Sequence, residues 1–162
     1  MRVERWVTER LSASGGNQTK PINRYSRYDF LVPGVLLMTG GSFSEGTPQG
    51  LGDDAPDLSK AEEGVTFTSQ AVTPMKAKTA RYFFSWGPHR NYGDAALRDT
   101  LMGVAGMAFN EDKTIIEAQQ RVIDSTHEPQ IMPTSADRGV TLFNRLVARL
   151  IREENGVMRQ TS

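Results

Sequence analysis

The residues best suited to chemistry lie between Asn110 and Asp124. A helix turns by about 100° per residue. At that spacing Ile115, Ile116, Val122 and Ile123 form one apolar arc, with Asp112 inside it and Gln119 near its centre. Glu111, Lys113, Glu117 and Arg121 fall mostly outside. A carboxylate and an amide are therefore predicted two turns apart on the face that should point into the protein. A buried carboxylate is costly unless it is paired, protonated or bound to a cation. As a structural group, Asp112 caps the helix start or meets an arginine such as Arg81 or Arg138. As a functional group, it is a metal ligand or a general base. Gln119 reads as a core amide.

Other chemistries are excluded by composition. The chain has no cysteine, which removes disulfides, thiolate zinc sites, cysteine nucleophiles and any cysteine-held iron–sulfur cluster from it. Its histidines, His89 and His127, are far apart in sequence, without local metal-ligand spacing, and read as surface or structural residues. Lys plus Arg and Asp plus Glu are 19 each, so no broad surface for nucleic acid or anionic membrane is expected. No apolar run is long enough to span a membrane. Met1 to Trp6 lacks the apolar core of a signal peptide, so a cytoplasmic location is expected.

The elements that must position Asp112 follow from periodicity. Strands are predicted over Val3–Leu11, Tyr25–Phe30, Val35–Thr39, Val65–Val72 and Thr79–Trp86. Val65, Phe67, Ser69 and Ala71 share one face of the fourth and Thr66, Thr68, Gln70 and Val72 the other, and Ala80, Tyr82, Phe84 and Trp86 share one face of the fifth. Ser12–Asn17 is a loop, and Thr73–Lys78 a hairpin connection longer than a two-residue turn. Residues 40–64, rich in Gly, Ser, Asp and Pro, are expected to be a long mobile loop. A helix capped by Asp94 is predicted to end near Gly103 or Gly106, and a second to run from Asn110 to Asp124. His127–Pro133 is expected to be extended. Thr134–Asp137 resembles a capping box opening a long helix that stops at Asn155–Gly156. That helix carries an apolar stripe of Val140, Phe143, Leu146, Val147, Leu150 and Ile151. The expected architecture is a single α+β domain over residues 1–156, with 157–162 as a tail.

Phe109-Asn110-Glu111-Asp112-Lys113 followed by Glu117-Ala118-Gln119-Gln120 resembles the late segment of vanillate O-demethylase oxygenase-type Rieske proteins. Thr73-Pro74, Tyr82-Phe83-Phe84 and Arg90-Asn91 match the family in order, as do Asp137, the long last helix and Glu153-Glu154. Tyr25 to Gly34 is similar more loosely. The resemblance implies the C-terminal, substrate-pocket part of a Rieske non-haem iron oxygenase, acting on an aromatic acid or ether by hydroxylation or oxidative demethylation. It implies a partial helix-grip fold (Bet v 1/START-like), a curved antiparallel sheet closed by a long C-terminal helix. It makes Asp112 the carboxylate ligand of a mononuclear Fe(II), and puts Met38, Gln70 and Gly103 near the substrate cavity. It also implies a homotrimer.

The sequence departs from the family's pattern at several points. The Rieske cluster ligands and the segment supplying both iron histidines are absent. Met75 stands where glutamate is usual, and Arg81 where histidine is frequent. The chain alone is therefore expected to be inactive and not to hold iron. Two alternatives stay open: a helix-grip module that binds a small molecule or partner without catalysis, and an unrelated α+β interaction domain in which Asp112 is a structural cap.

Overall fold

A computed structural model describes residues 1–9, 22–127, 134 and 137–160. The expected loop Ser12–Asn17 and residues 128–133 of the expected extended segment lie outside the described residues. Among the described residues the architecture is α+β: five strands and two long helices, with two short 3-10 turns. Two compact units divide the chain, Arg2–Asn110 and a C-terminal unit from Glu111.

In the first unit β1 (Arg2–Glu9), β2 (Ile22–Leu31), β3 (Val35–Ser44), β4 (Glu63–Lys76) and β5 (Thr79–Pro88) form one antiparallel sheet in chain order. The last four strands stand where alternation predicts them, three of the four extending at both ends or well beyond the predicted end. β1 does so to Glu9, while Arg10 and Leu11 of the expected first strand lie outside the described residues. The β4–β5 connection is tighter than predicted. Lys76 pairs with Thr79, so only Ala77 and Lys78 make the turn. A register shift between Pro74 and Lys76 absorbs the proline, which could not serve a regular ladder.

Residues 40–64 depart from the expected mobile loop. Gly40 to Ser44 completes β3, and Glu63 already begins β4. Between them, Gly52–Asp54 and Leu58–Lys60 are 3-10 turns fastened to the sheet. The Trp6 indole Nε1–H donates to the Gly50 carbonyl at 2.9 Å, and the Gly52 N–H donates to Glu4 Oε2 at 2.7 Å. The Tyr92 hydroxyl lies 3.0 Å from the Ala61 carbonyl. Beneath this segment sits a buried cluster of Tyr25, Phe43, Ala61 and Val65, flanked by Trp6 and Leu58. Gly41 is needed here, because a Cβ would lie 2.9 Å from that of Ala61.

Glu4 links sheet and segment, since it also accepts from the Tyr25 hydroxyl at 2.7 Å. The Tyr25 bond first, and then the Gly52 N–H, hold its carboxyl below the ordinary value of 4.5. A depressed folded pKa gives stability that is present above the unfolded value and lost as pH falls through the folded one. Glu4→Gln is therefore expected to flatten the acid limb of a melting-temperature profile below about pH 4.5, where the wild-type chain loses stability with falling pH.

The two helices predicted on either side of Asn110 are one. Helix α1 (Ala95–Ser125) runs unbroken for 31 residues. Asp94 caps it as expected, its Oδ1 accepting from the Leu97 N–H at 2.9 Å. Gly103 and Gly106 do not end it, since a mid-helix glycine costs only about 1 kcal/mol relative to alanine and no proline follows to stop the chain. Helix α2 (Arg138–Gln160) likewise continues past Asn155–Gly156, so most of the expected tail is helical. Its N-terminus carries half of the predicted capping box: the Thr134 N–H donates to Asp137 Oδ2 at 2.7 Å. Phe143, Leu146, Val147 and Leu150 of its apolar stripe are half-buried, while Val140 and Ile151 are exposed.

Candidate functional site

One face of the sheet walls a cavity of about 400 Å³ within the Arg2–Asn110 unit, a volume suited to a small organic ligand. The pleat selects the lining: Arg5 and Val7 from β1, Arg24, Ser26 and Tyr28 from β2, Met38 and Gly40 from β3, then Thr66, Thr68 and Gln70 from β4. These residues fall in register across the sheet, as in the pairs Arg5–Ser26, Tyr28–Met38 and Met38–Thr68.

The first half of α1 closes one side. Met102, Ala105 and Phe109 recur at helical spacing. Ala105 is buried, and the small side chain lets the helix approach the sheet. The Trp86 N–H donates to Met102 Sδ at 3.1 Å. Phe109 meets Tyr82 and Phe84 edge-on, with ring centroids 5.1 Å and 4.6 Å away, and Tyr82 stacks on Phe84 at 5.9 Å. Phe109 and Trp86 both line the cavity.

Of the residues expected at a substrate cavity, two come together. Gln70 and Met38 both line it, and the Gln70 amide donates to Met38 Sδ at 3.2 Å. A thioether is a weak acceptor, so that amide is easily redirected to a ligand. Gly103 is not among the lining residues. It is exposed, and a Cβ there would meet nothing within 4 Å. Gly103→Ala is accordingly expected to raise the chain's unfolding free energy by about 1 kcal/mol in urea titrations, from helix propensity alone.

Asp112 lies far inside α1, so it does not cap a helix start. Its side chain is exposed, and among the described residues it has no hydrogen-bond or ion-pair partner, Arg81 and Arg138 included. The apolar arc around it is open as well, with Ile115 60%, Ile116 62% and Val122 65% exposed. The expectation of an inward face is thus not met within this chain: helical periodicity identifies which residues want cover but not whether these residues supply it. Gln119, expected as a core amide, is also exposed.

A mononuclear iron held by two histidines and a carboxylate needs three converging side chains. Among the described residues, no group of three or more His, Cys, Asp or Glu side chains could hold a metal ion. His89 accepts from the Asn91 N–H at 3.4 Å and packs edge-on against Tyr92, and His127 is exposed beyond the end of α1. The described residues therefore do not fit an iron centre by themselves.

Periodicity separated the two faces of β4 without choosing between them, and it missed Arg5 and Arg24. The available signal was strand parity, which puts both arginines on the same face as Ser26 and Tyr28.

The described residues thus form an α+β fold with an aromatic-walled cavity on an antiparallel sheet, closed on one side by a helix. The chain belongs to the vanillate O-demethylase oxygenase C-terminal domain family, whose model matches residues 2–153. Two relatives from Comamonas testosteroni are similar to it. One, named "Putative toluene-4-sulfonate monooxygenase system iron-sulfur subunit", is 32% identical over 135 residues, covering 83% of this chain and 37% of its own length. The other, a toluene-4-sulfonate monooxygenase system iron-sulfur subunit, is 30% identical over the same shares. The chain thus spans little more than a third of the length of these relatives. No solved structure matches it. No helix among the described residues is long and apolar enough to cross a membrane.

Proposed function

We propose that residues 1–156 are the C-terminal, substrate-cavity portion of a Rieske non-haem iron oxygenase, with a partial helix-grip fold. In its intact form the enzyme hydroxylates or oxidatively demethylates an aromatic acid or ether in the cytoplasm, as a homotrimer. The observation that carries this reading is the family match over residues 2–153, which takes in every strand that walls the cavity. The relatives' names point the same way, toward a monooxygenase system acting on an arene sulfonate.

In this reading the cavity holds the aromatic ring against Trp86 and Phe109, while Gln70 and Met38 contact its substituents. Asp112 is the carboxylate of the iron site, and the histidines and the cluster come from sequence outside these residues. The open arc of Ile115, Ile116 and Val122 supports that arrangement, because exposed apolar surface of this kind marks a face built to be covered. Alone, the chain binds no iron and turns over nothing.

The test is the polypeptide that carries these residues in the source cells, captured with an antibody against the chain. It is expected to have roughly the relatives' length, to contain both an iron–sulfur cluster and mononuclear iron, and to take up oxygen when given an aromatic acid. Capture of a 17.9 kDa polypeptide without a cluster would overturn the reading and favour a non-enzymatic binding module.

A further inference from the structure

Strands β1 and β2 carry four arginines whose charges are treated in two ways. On the face opposite the cavity, Arg2 and Arg27 share one acid: Arg2 Nε lies 2.6 Å from Asp29 Oδ1, and Arg27 Nε 3.2 Å from Asp29 Oδ2. On the cavity face, Arg5 and Arg24 have no such partner. Among the described residues neither forms an ion pair, and no Asp, Glu, Lys or His lines the cavity. Among the described residues, the formal charges lining the cavity are thus two guanidiniums, in a chain of zero net charge.

Their placement favours joint action. Arg5 is paired with Ser26, and Arg24 with Val7, so the two stand diagonally across adjacent strands, within reach of a common ligand. Arg5 Nη2 donates to the Tyr28 hydroxyl at 3.3 Å, and its Cζ lies 5.8 Å from the Tyr28 ring centroid. That contact orients the guanidinium and leaves most of its N–H groups free. Arg24 is half-buried and forms no ion pair among the described residues, and such a cation gains most from an anion that enters beside it. Trp86 and Phe109, across the sheet by β5 and α1, offer the aromatic surface.

We infer that Arg5 and Arg24 form the anion subsite of this cavity and select an aromatic ligand with one carboxylate or sulfonate, the anion on the β1–β2 side and the ring toward Trp86 and Phe109. The inference rests on the cavity being the substrate site, and it assigns two residues that determine specificity there.

Binding of 4-methylbenzoate and its uncharged counterpart 4-methylbenzamide to the full chain, followed by calorimetry, tests it without requiring turnover. The carboxylate is expected to bind about 10-fold or more tightly than the amide, since charge-assisted hydrogen bonds are about twice as strong as neutral ones. That preference is expected to weaken as salt rises. Arg24→Met and Arg5→Met are each expected to reduce the preference while leaving amide binding within about 2-fold, and Arg24→Lys to keep part of it. The wild-type comparison stands even if a variant fails to fold. Equal affinity of the wild-type chain for both compounds, or no binding of either, would overturn the inference. If the anion preference holds but the polypeptide from cells lacks a cluster, the subsite survives and the oxygenase reading fails.

Discussion

If the proposed function holds, Asp112→Ala in the full-length oxygenase is expected to strip the mononuclear iron and to lower turnover by about 100-fold or more, because loss of a mere supporting group at a metal site already costs up to about that much. The same substitution in the 162-residue chain is expected to leave unfolding free energy within about 0.5 kcal/mol of wild type. The contrast follows from where the side chain stands. Asp112 is exposed and, among the described residues, unpartnered, so its removal breaks no stabilising contact. Iron content by mass spectrometry and urea titration of the chain measure the two halves separately. A large loss of stability with iron retained would make Asp112 a structural residue and remove it from the metal site.

Tyr25→Ala is expected to cost the chain about 3–5 kcal/mol, a large share of the roughly 5–15 kcal/mol that stabilises a typical domain. Tyr25 is 1% exposed and packs its ring 5.3 Å from that of Trp6, which in turn lies 5.4 Å from Phe43. Truncation leaves a cavity under the fastened 45–62 segment and takes away one of the bonds to Glu4. Tyr25→Phe keeps the packing and removes only the hydrogen bond, so it is expected to cost about 1 kcal/mol. Burial first, and then the Glu4 bond, push the Tyr25 hydroxyl up to about 12 from its usual 10. A raised folded pKa gives stability that is present below the unfolded value and lost as pH rises through the folded one. Melting temperatures between pH 9 and 12 should therefore fall less steeply for Tyr25→Phe than for the wild-type chain.

The sheet is more legible in the sequence than the helices are. Alternation separates the two faces of β4 and β5, and the register of the folded sheet then selects the cavity side, with Thr68 and Gln70 opposite Trp86 and Phe84. The ends of elements are set by weaker effects. Gly103, Gly106 and Gly156 look like stops but are tolerated inside helices, and the Pro74 region looks like a loop but is absorbed by a register shift. Residues 45–62 look mobile from composition. Their order comes from long-range bonds made by Trp6, Glu4 and Tyr92, which local sequence does not encode.

The site divides along the same line. Met38 and Gln70 reach the cavity because strand register puts them there, whereas Gly103 depends on helix rotation and turns away. In the proposed anion subsite Arg5 and Arg24 stand out because no acid among the described residues lines the cavity with them, a property of tertiary neighbours that the strands alone do not reveal. Periodicity puts Asp112 on an apolar face, and that face is open in this chain. The proposed iron ligation would give such a face a reason to carry a carboxylate.

Grafting measures the central claim most directly. Residues 2–153 replace the matching segment of a toluene-4-sulfonate monooxygenase iron–sulfur subunit, and oxygen uptake is followed with that system's electron donor and a panel of aromatic acids. The graft is expected to carry iron in both centres and to consume oxygen with formation of a hydroxylated or demethylated product. A folded graft that holds both iron centres, yet shows no uptake stimulated by any aromatic acid while the parent subunit does, would contradict the assignment of this chain as the substrate-cavity portion of an oxygenase.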